Sequence, residues 1–166
     1  GSPINELLIN RAKRNIKLLG VVKNVDIILE ESTGSVSIFI DEFPVVTTIN
    51  FQGNSIYTYS FLSTFLHSKT NAPLNLIYIR QDIQFIVDQY KKDGYIEAKV
   101  IRIEKPDAND GSLTFVIAEG VIDDIQITGN IKTQDYVILR EIDIRPGDII
   151  NENDIRDSIR KVFNLN

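Results

Sequence analysis

The apolar positions of this chain change period at one place. Ile79, Ile83, Ile86 and Tyr90 recur at helical intervals, which sets them on a single face. Past Gly94, Ile96, Ala98 and Val100 alternate with Glu97, Lys99 and Arg102, the pattern of a half-buried strand. Lys91 and Lys92 stand in the last helical turn, where cations complement the helix dipole. Gly94 follows at the position where a left-handed backbone is cheap only for glycine. A helix face and a strand face turn apolar within a few residues of each other, so the two are predicted to pack together.

The same punctuation occurs more than once. Gly34-Ser35-Val36-Ser37-Ile38-Phe39-Ile40-Asp41-Glu42 matches Gly111-Ser112-Leu113-Thr114-Phe115-Val116-Ile117-Ala118-Glu119, 77 residues on. Each is a turn glycine, an alternating strand and an acidic exit. A further strand follows both, Val45 to Phe51 closing on Gly53-Asn54 and Val121 to Ile127 closing on Gly129-Asn130, here 76 residues apart. Ile16 to Gly20 with Val25-Asp26-Ile27 parallels Tyr90 to Gly94 with Ala98-Lys99-Val100. Such self-similarity predicts tandem structural repeats.

One complete unit is expected over 44–120. Val45, Thr47, Ile49 and Phe51 share a face of its first strand. A first helix covers roughly Thr58 to His67, with Ser55 or Thr58 as N-cap, and Asn75 caps the long second helix. The tip Pro106 to Gly111 has hairpin-turn chemistry, and Leu113, Phe115 and Ile117 face inward on the returning strand. The order is strand-helix-helix-strand-strand: an α+β class, with two helices packed on one face of a three-stranded mixed sheet. Residues 3–43 hold only a second helix and a hairpin, the C-terminal half of a unit. Residues 121–166 hold the N-terminal half: a strand, a helix around Thr133 to Asp143, the turn Arg145 to Asp148 and a helix capped by Asn151. Ile155, Ile159, Val162 and Phe163 form the stripe of that last helix. Each half leaves an apolar face uncovered, so either the halves are expected to pair between molecules in a swapped assembly such as a homodimer, or the C-terminal half is expected to be partly mobile.

Composition narrows the chemistry. The 166 residues carry a net charge of −5, with 43% hydrophobic and 25% charged residues, a globular balance without the basic footprint of a nucleic-acid binder. No cysteine is present, which removes disulfides and thiolate metal sites and fits either a reducing cytosol or an envelope protein that avoids thiols. No apolar run approaches the roughly 20 residues of a membrane-spanning helix. Gly1-Ser2 looks like a cloning scar, so the chain reads as a piece of a longer protein. His67 is the sole histidine and falls in a polar loop without an evident acid–nucleophile pairing. Glu30-Glu31 and Asp123-Asp124 are neighbours on strands and point to opposite faces. Asp107-Ala108-Asn109-Asp110-Gly111 lacks the alternating ligands of a calcium loop and reads as a turn. No catalytic residue, metal ligand or cofactor is expected.

A strand closing on Gly-Asn, then Thr133-x-Asp135-x-Val137-Ile138-x-Arg140-Glu141, Pro146-Gly147-Asp148, Ser158 and Phe163, resembles a POTRA (polypeptide-transport-associated) domain. Gly94-Tyr95-x-x-Ala98-x-Val100 is similar to the same module one repeat earlier. The resemblance covers nearly the whole chain from Pro3, with two departures. Gly20-Val21-Val22 lacks the aromatic, and His67 to Pro73 replaces the usual Gly-Asp turn. The resemblance implies a soluble segment in the periplasm or plastid intermembrane space, attached to the outer membrane by the protein's own barrel on the C-terminal side. Its partners would be unfolded outer-membrane or translocating polypeptides, bound by strand addition, and accessory assembly proteins. The resemblance further implies that Tyr95 to Ile103 is a sheet edge, where Tyr95, Glu97, Lys99, Ile101 and Ile103 would meet a client strand. Gln84, Val87, Asp88 and Lys91 of the second helix would line a groove beside it, and Glu97, Lys99 and Arg102 would guard the edge against self-pairing. The alternative for the edge is that it is merely solvated or covered by a neighbouring repeat. The alternative for function is a scaffold module of a two-partner secretion transporter or a cell-division protein.

Overall fold

The computed structural model describes residues 6–30, 32–107 and 109–164. Expectations resting on Gly1-Ser2, Pro3, Glu31, Ala108 and Asn166 lie outside the described residues. The chain runs α1 (Glu6–Lys17), β1 (Val22–Glu30), β2 (Ser35–Glu42), β3 (Val45–Val46), β4 (Thr48–Gln52) and α2 (Tyr59–Thr64). It continues with β5 (Ala72–Pro73), α3 (Leu76–Lys92), β6 (Lys99–Glu104), β7 (Ser112–Ala118), α4 (Asp135–Glu141) and α5 (Glu152–Phe163).

The core is built around β7. It pairs parallel with β4 and antiparallel with β6, giving a mixed sheet of order β4-β7-β6. Leu113, Phe115 and Ile117 of β7 are buried against Leu62 of α2 and Ile79, Ile86 and Tyr90 of α3. Burial of each such side chain is worth roughly 1.5–3 kcal/mol, so this cluster outweighs any single polar contact in placing the two helices. Thr58 caps α2 by accepting from the Phe61 N–H, and Asn75 caps α3 by accepting from Ile77 and Tyr78. Ser55 is not the cap; its hydroxyl donates to Glu119. Gly94 ends α3 at φ +93°.

Four expectations change. The strand after Gly94 begins at Lys99, not at Ile96, because Tyr95–Ala98 form a turn in which Ile96 N–H donates to Gly94 O and Ala98 N–H to Tyr95 O. Val45 to Phe51 is two strands: β3 pairs with β5 and buries Val46, and the phase shifts at Thr47 so that Ile49 is buried in the main sheet. Val45 and Thr47 therefore do not share the face of Ile49. The Asp123-Asp124 segment is not a strand: only a bridge from Val121 to Ile149 forms, since Ile122 to Ile127 have no neighbour equivalent to β7. Finally, the hairpin registers place Val25 opposite Ile40 and Val100 opposite Ile117, so Val25 answers to Val100 rather than to Ala98.

Successive units meet through one joint, used twice. Leu76 N–H donates to Gly20 O at 2.9 Å, and Glu152 N–H to Gly94 O at 2.9 Å. Asn75 Nδ2 reaches Leu19 O at 3.2 Å, and Asn151 Nδ2 reaches Asp93 O at 2.9 Å. Each asparagine thus caps a helix and grips the helix end of the preceding unit. Asn71 at φ +62° donates to Val46 O at 2.7 Å, as Gly147 at φ +94° donates to Ile122 O at 2.7 Å. The turn that His67 to Pro73 was expected to replace is therefore kept, with asparagine in the glycine's left-handed place.

Candidate functional site

Position in the sheet makes β6 the candidate. Its inner rim is hydrogen-bonded to β7, and among the described residues no strand lies on its outer rim. The ladder carries a bulge between Val100 and Arg102, so Ile101 has no direct partner on β7. The extra residue resets the alternation: Val100 and Ile103 pack on the core, while Ile101 is 57% exposed beside the exposed Lys99, Arg102 and Glu104. Arg102 and Glu104 form an exposed ion pair at 2.7 Å, a contact worth little in stability. Charged side chains and a bulge on an edge hinder indiscriminate pairing without removing the backbone groups that pairing uses.

The structure divides the expected edge residues. Lys99 and Ile101 lie on the edge strand. Tyr95 and Glu97 lie in the preceding turn: Tyr95 packs its ring on Tyr90 at 6.2 Å, and Glu97 lies against Gly120. Ile103 is on the strand but faces the core. On α3, Gln84, Asp88 and Lys91 are exposed and Val87 is half-buried; Gln84 Nε2 donates to Asp88 Oδ1 at 2.8 Å. The groove helix therefore shows a mainly polar face, and α3 packs next to β6.

Two buried carboxylates escaped the sequence reading. Glu119 accepts from Ser55 N–H (2.8 Å), Ser55 Oγ (2.5 Å), Ile56 N–H (2.9 Å) and Tyr90 Oη (2.6 Å). Burial pushes its carboxyl up, but these four donors outweigh burial and hold it below the usual glutamate value. Burial, with Glu119 beside it, raises the Tyr90 hydroxyl well above the ordinary tyrosine value. Asp82 is fully buried and accepts from His67 N–H at 2.6 Å and Ser68 N–H at 3.0 Å, with His67 Nδ1 at 3.3 Å. His67 is an exposed loop residue, as expected, and borders Asp82, which ties its loop to α3. The acidic exit after the alternating strand was the one visible signal for Glu119. For Asp82 there was none, since it occupies a helical position between apolar neighbours. Asp107 accepts from Asn109 and Asp110 N–H groups, closing the β6–β7 turn.

These features recur in known proteins. A family model described as POTRA, surface antigen variable number repeat, matches residues 44–120 and 121–166. A Treponema pallidum (strain Nichols) protein named as an outer membrane protein assembly factor is 31% identical over 118 residues, 68% of this chain and 14% of that protein. The outer membrane protein assembly factor BamA of Nitratidesulfovibrio vulgaris (strain Hildenborough) is 28% identical over 124 residues, 72% of this chain and 16% of that protein. In fold, the N-terminal domain of Omp85 from the thermophilic cyanobacterium Thermosynechococcus elongatus superposes with a TM-score of 0.83 at 24% identity, covering 99% of this chain and 74% of that one.

Proposed function

The chain belongs to the POTRA family, and from that premise we propose that it is the periplasmic part of an outer-membrane barrel protein, receiving extended polypeptides on the outer rim of β6. It comprises the C-terminal half of one unit (3–43), a complete unit (44–120) and the N-terminal half of the next (121–166). The observation that carries this reading is that β6 is an edge strand of the β4-β7-β6 sheet, with Ile101 bulged and exposed. An added strand is held by backbone hydrogen bonds, which are largely blind to sequence and suit a receptor for many unfolded barrel precursors. The exposed Lys99, Ile101, Arg102 and Glu104 give that edge a mixed apolar and charged rim, with Arg102 paired to Glu104, and the Gln84–Asp88 face of α3 borders the client's side chains. Accessory assembly proteins would dock on the remaining surface, and the barrel would follow on the C-terminal side. The relatives named as assembly factors favour insertion over secretion as the role. The chain acts by binding and positioning, with no catalytic step.

The test is an NMR titration of the labelled chain with a peptide copied from a barrel strand, against a control with proline at alternate positions, which lacks the N–H groups pairing needs. Shifts confined to Lys99–Glu104 and adjoining α3 amides, absent with the control, are the expected result. No shift there at millimolar peptide would make the edge passive and the unit a spacer beside the barrel.

A further inference from the structure

The complete unit is a template for the first one. Its client edge combines β6 with a groove face of α3 on which Gln84, Val87, Asp88 and Lys91 carry one acid and one cation. In the first unit β1 corresponds to β6 and α1 to α3. Gly20 and Gly94 follow the two helices at the same joint, so Asn10, Lys13, Arg14 and Lys17 stand where Gln84, Val87, Asp88 and Lys91 stand in the complete unit. The apolar and the acidic position have both become cationic. Among the described residues β1 pairs only with β2, which leaves its other rim open to a further strand. That rim is nine residues long against six for β6, so it can hold a longer segment. Between α1 and β1 lies a groove of about 590 Å³, lined by Lys13, Arg14, Lys17, Asn24, Val25 and Asp26. No β2 residue lines it, which sets it beside the outer rim. This flank does not depend on the strand that completes a unit, because β4 joins its sheet on the far side of β7 from β6.

The charge of the groove is local. Five cations and no acid fall within residues 11–23, in a chain whose net charge is −5. The helix dipole accounts for Arg14 and Lys17 in the last turn of α1. It does not account for Arg11 and Lys13 further up the helix, nor for Lys23 on β1. Lys13 is paired with Asp26 at 3.3 Å, whereas the exposed Arg14 and Lys17 hold no ion pair among the described residues.

We propose that the α1–β1 flank is a second polypeptide-binding edge, selective for acidic extended segments. The segment adds to the outer rim of β1 and sets its carboxylates against Arg14 and Lys17. This rests on the reading of β6 as a client edge and deepens it, since the two edges divide clients by charge. Backbone pairing is largely blind to sequence, so the division falls to the helix overlooking each rim: α3 presents Asp88 where α1 presents Arg14. The cations line a concave groove beside a strand rim, a shape that fits a chain and not a flat membrane surface.

The test titrates the labelled full chain with two peptides of one alternating pattern, valine with glutamate and valine with lysine. The glutamate peptide should shift the amides of α1 and Asn24–Glu30 and bind about tenfold tighter than the lysine peptide, the size of two exposed ion pairs. The preference should shrink as salt is raised. Arg14→Glu combined with Lys17→Glu, both at exposed positions, should erase it while the barrel-strand peptide still shifts Lys99–Glu104. Equal affinity for the two peptides, or a preference that survives the charge reversal, overturns the proposal. So do α1 shifts with phosphatidylglycerol vesicles and none with the glutamate peptide, which would make the patch a contact for an anionic surface. The β6 reading is judged separately: a barrel-strand peptide that leaves Lys99–Glu104 unshifted defeats it whatever the charge preference at β1.

Discussion

At the scale of single residues, Glu119 joins three elements. It ties the exit of β7 to the loop before α2 and to Tyr90 of α3, with four donors on one carboxylate. Glu119→Ala would leave the Ile56 N–H and the Tyr90 hydroxyl without their partner and should cost about 2–4 kcal/mol in urea unfolding, more than a typical surface change. The pH dependence has a definite sign. The native carboxyl lies below its ordinary value near 4.5, so its contribution is present above that value and is lost as pH falls through the native one. Tyr90 is displaced upward from 10.0, so its contribution is full below pH 10.0 and is lost as pH rises toward the native value. Stability measured against pH should therefore be flat near neutrality and fall at both extremes. Tyr90→Phe should flatten the alkaline limb.

At the scale of elements, α3 with its glycine stop shows how a local pattern meets a distant constraint. The stripe Ile79, Ile86 and Tyr90 and the caps Asn75 and Gly94 follow from sequence, because periodicity and capping act within one or two turns. The demand on Gly94 is larger than its own dihedral, however. A Cβ there would lie 2.5 Å from Asn151 Oδ1 and 2.7 Å from Asn153 Nδ2. Gly94→Ala should therefore cost roughly 2 kcal/mol or more, combining left-handed strain with a clash in the next unit. Calorimetry on this variant, compared with Gly34→Ala, separates the two causes, since Gly34 is also left-handed but has open space where a Cβ would go. Equal losses at both positions would refute the clash. The start of β6 was misplaced for the converse reason: three alternating residues, Ile96, Ala98 and Val100, satisfy a turn as well as a strand.

At the scale of the molecule, the joint between units sets how the repeats are held. Asn75 caps α3 and binds Leu19 O; Asn151 caps α5 and binds Asp93 O. Asn75→Ala should remove about 1 kcal/mol of capping and also release the first unit. Hydrogen exchange would then quicken from α1 through β1 while β7 stays protected. Exchange that quickens only in α3 would make the asparagine a cap and nothing more. Repetition was legible from Gly34/Gly111 and Gly53/Gly129, but the joint was not. The Asn75 and Asn151 side chains each act on a carbonyl more than fifty residues earlier in the chain.

The sequence by itself left the α2 cap between Ser55 and Thr58 but determined the α+β class, the repeats, the caps Asn75 and Asn151, and the inward face of β7. All of these depend on neighbours a few residues away, or on a pattern copied along the chain. The edge position of β6 was implied by the family resemblance; the tertiary structure alone decided that β4 forms the opposite edge, that a bulge turns Ile101 outward and Ile103 inward, and that Val121 to Ile127 forms no ladder. It also decided which carboxylates are buried. These depend on which strand lies beside which, and a strand's sequence records its two faces while leaving its two edges unspecified. The faces follow from side chains, which differ; the edges consist of backbone groups, which are alike at nearly every residue.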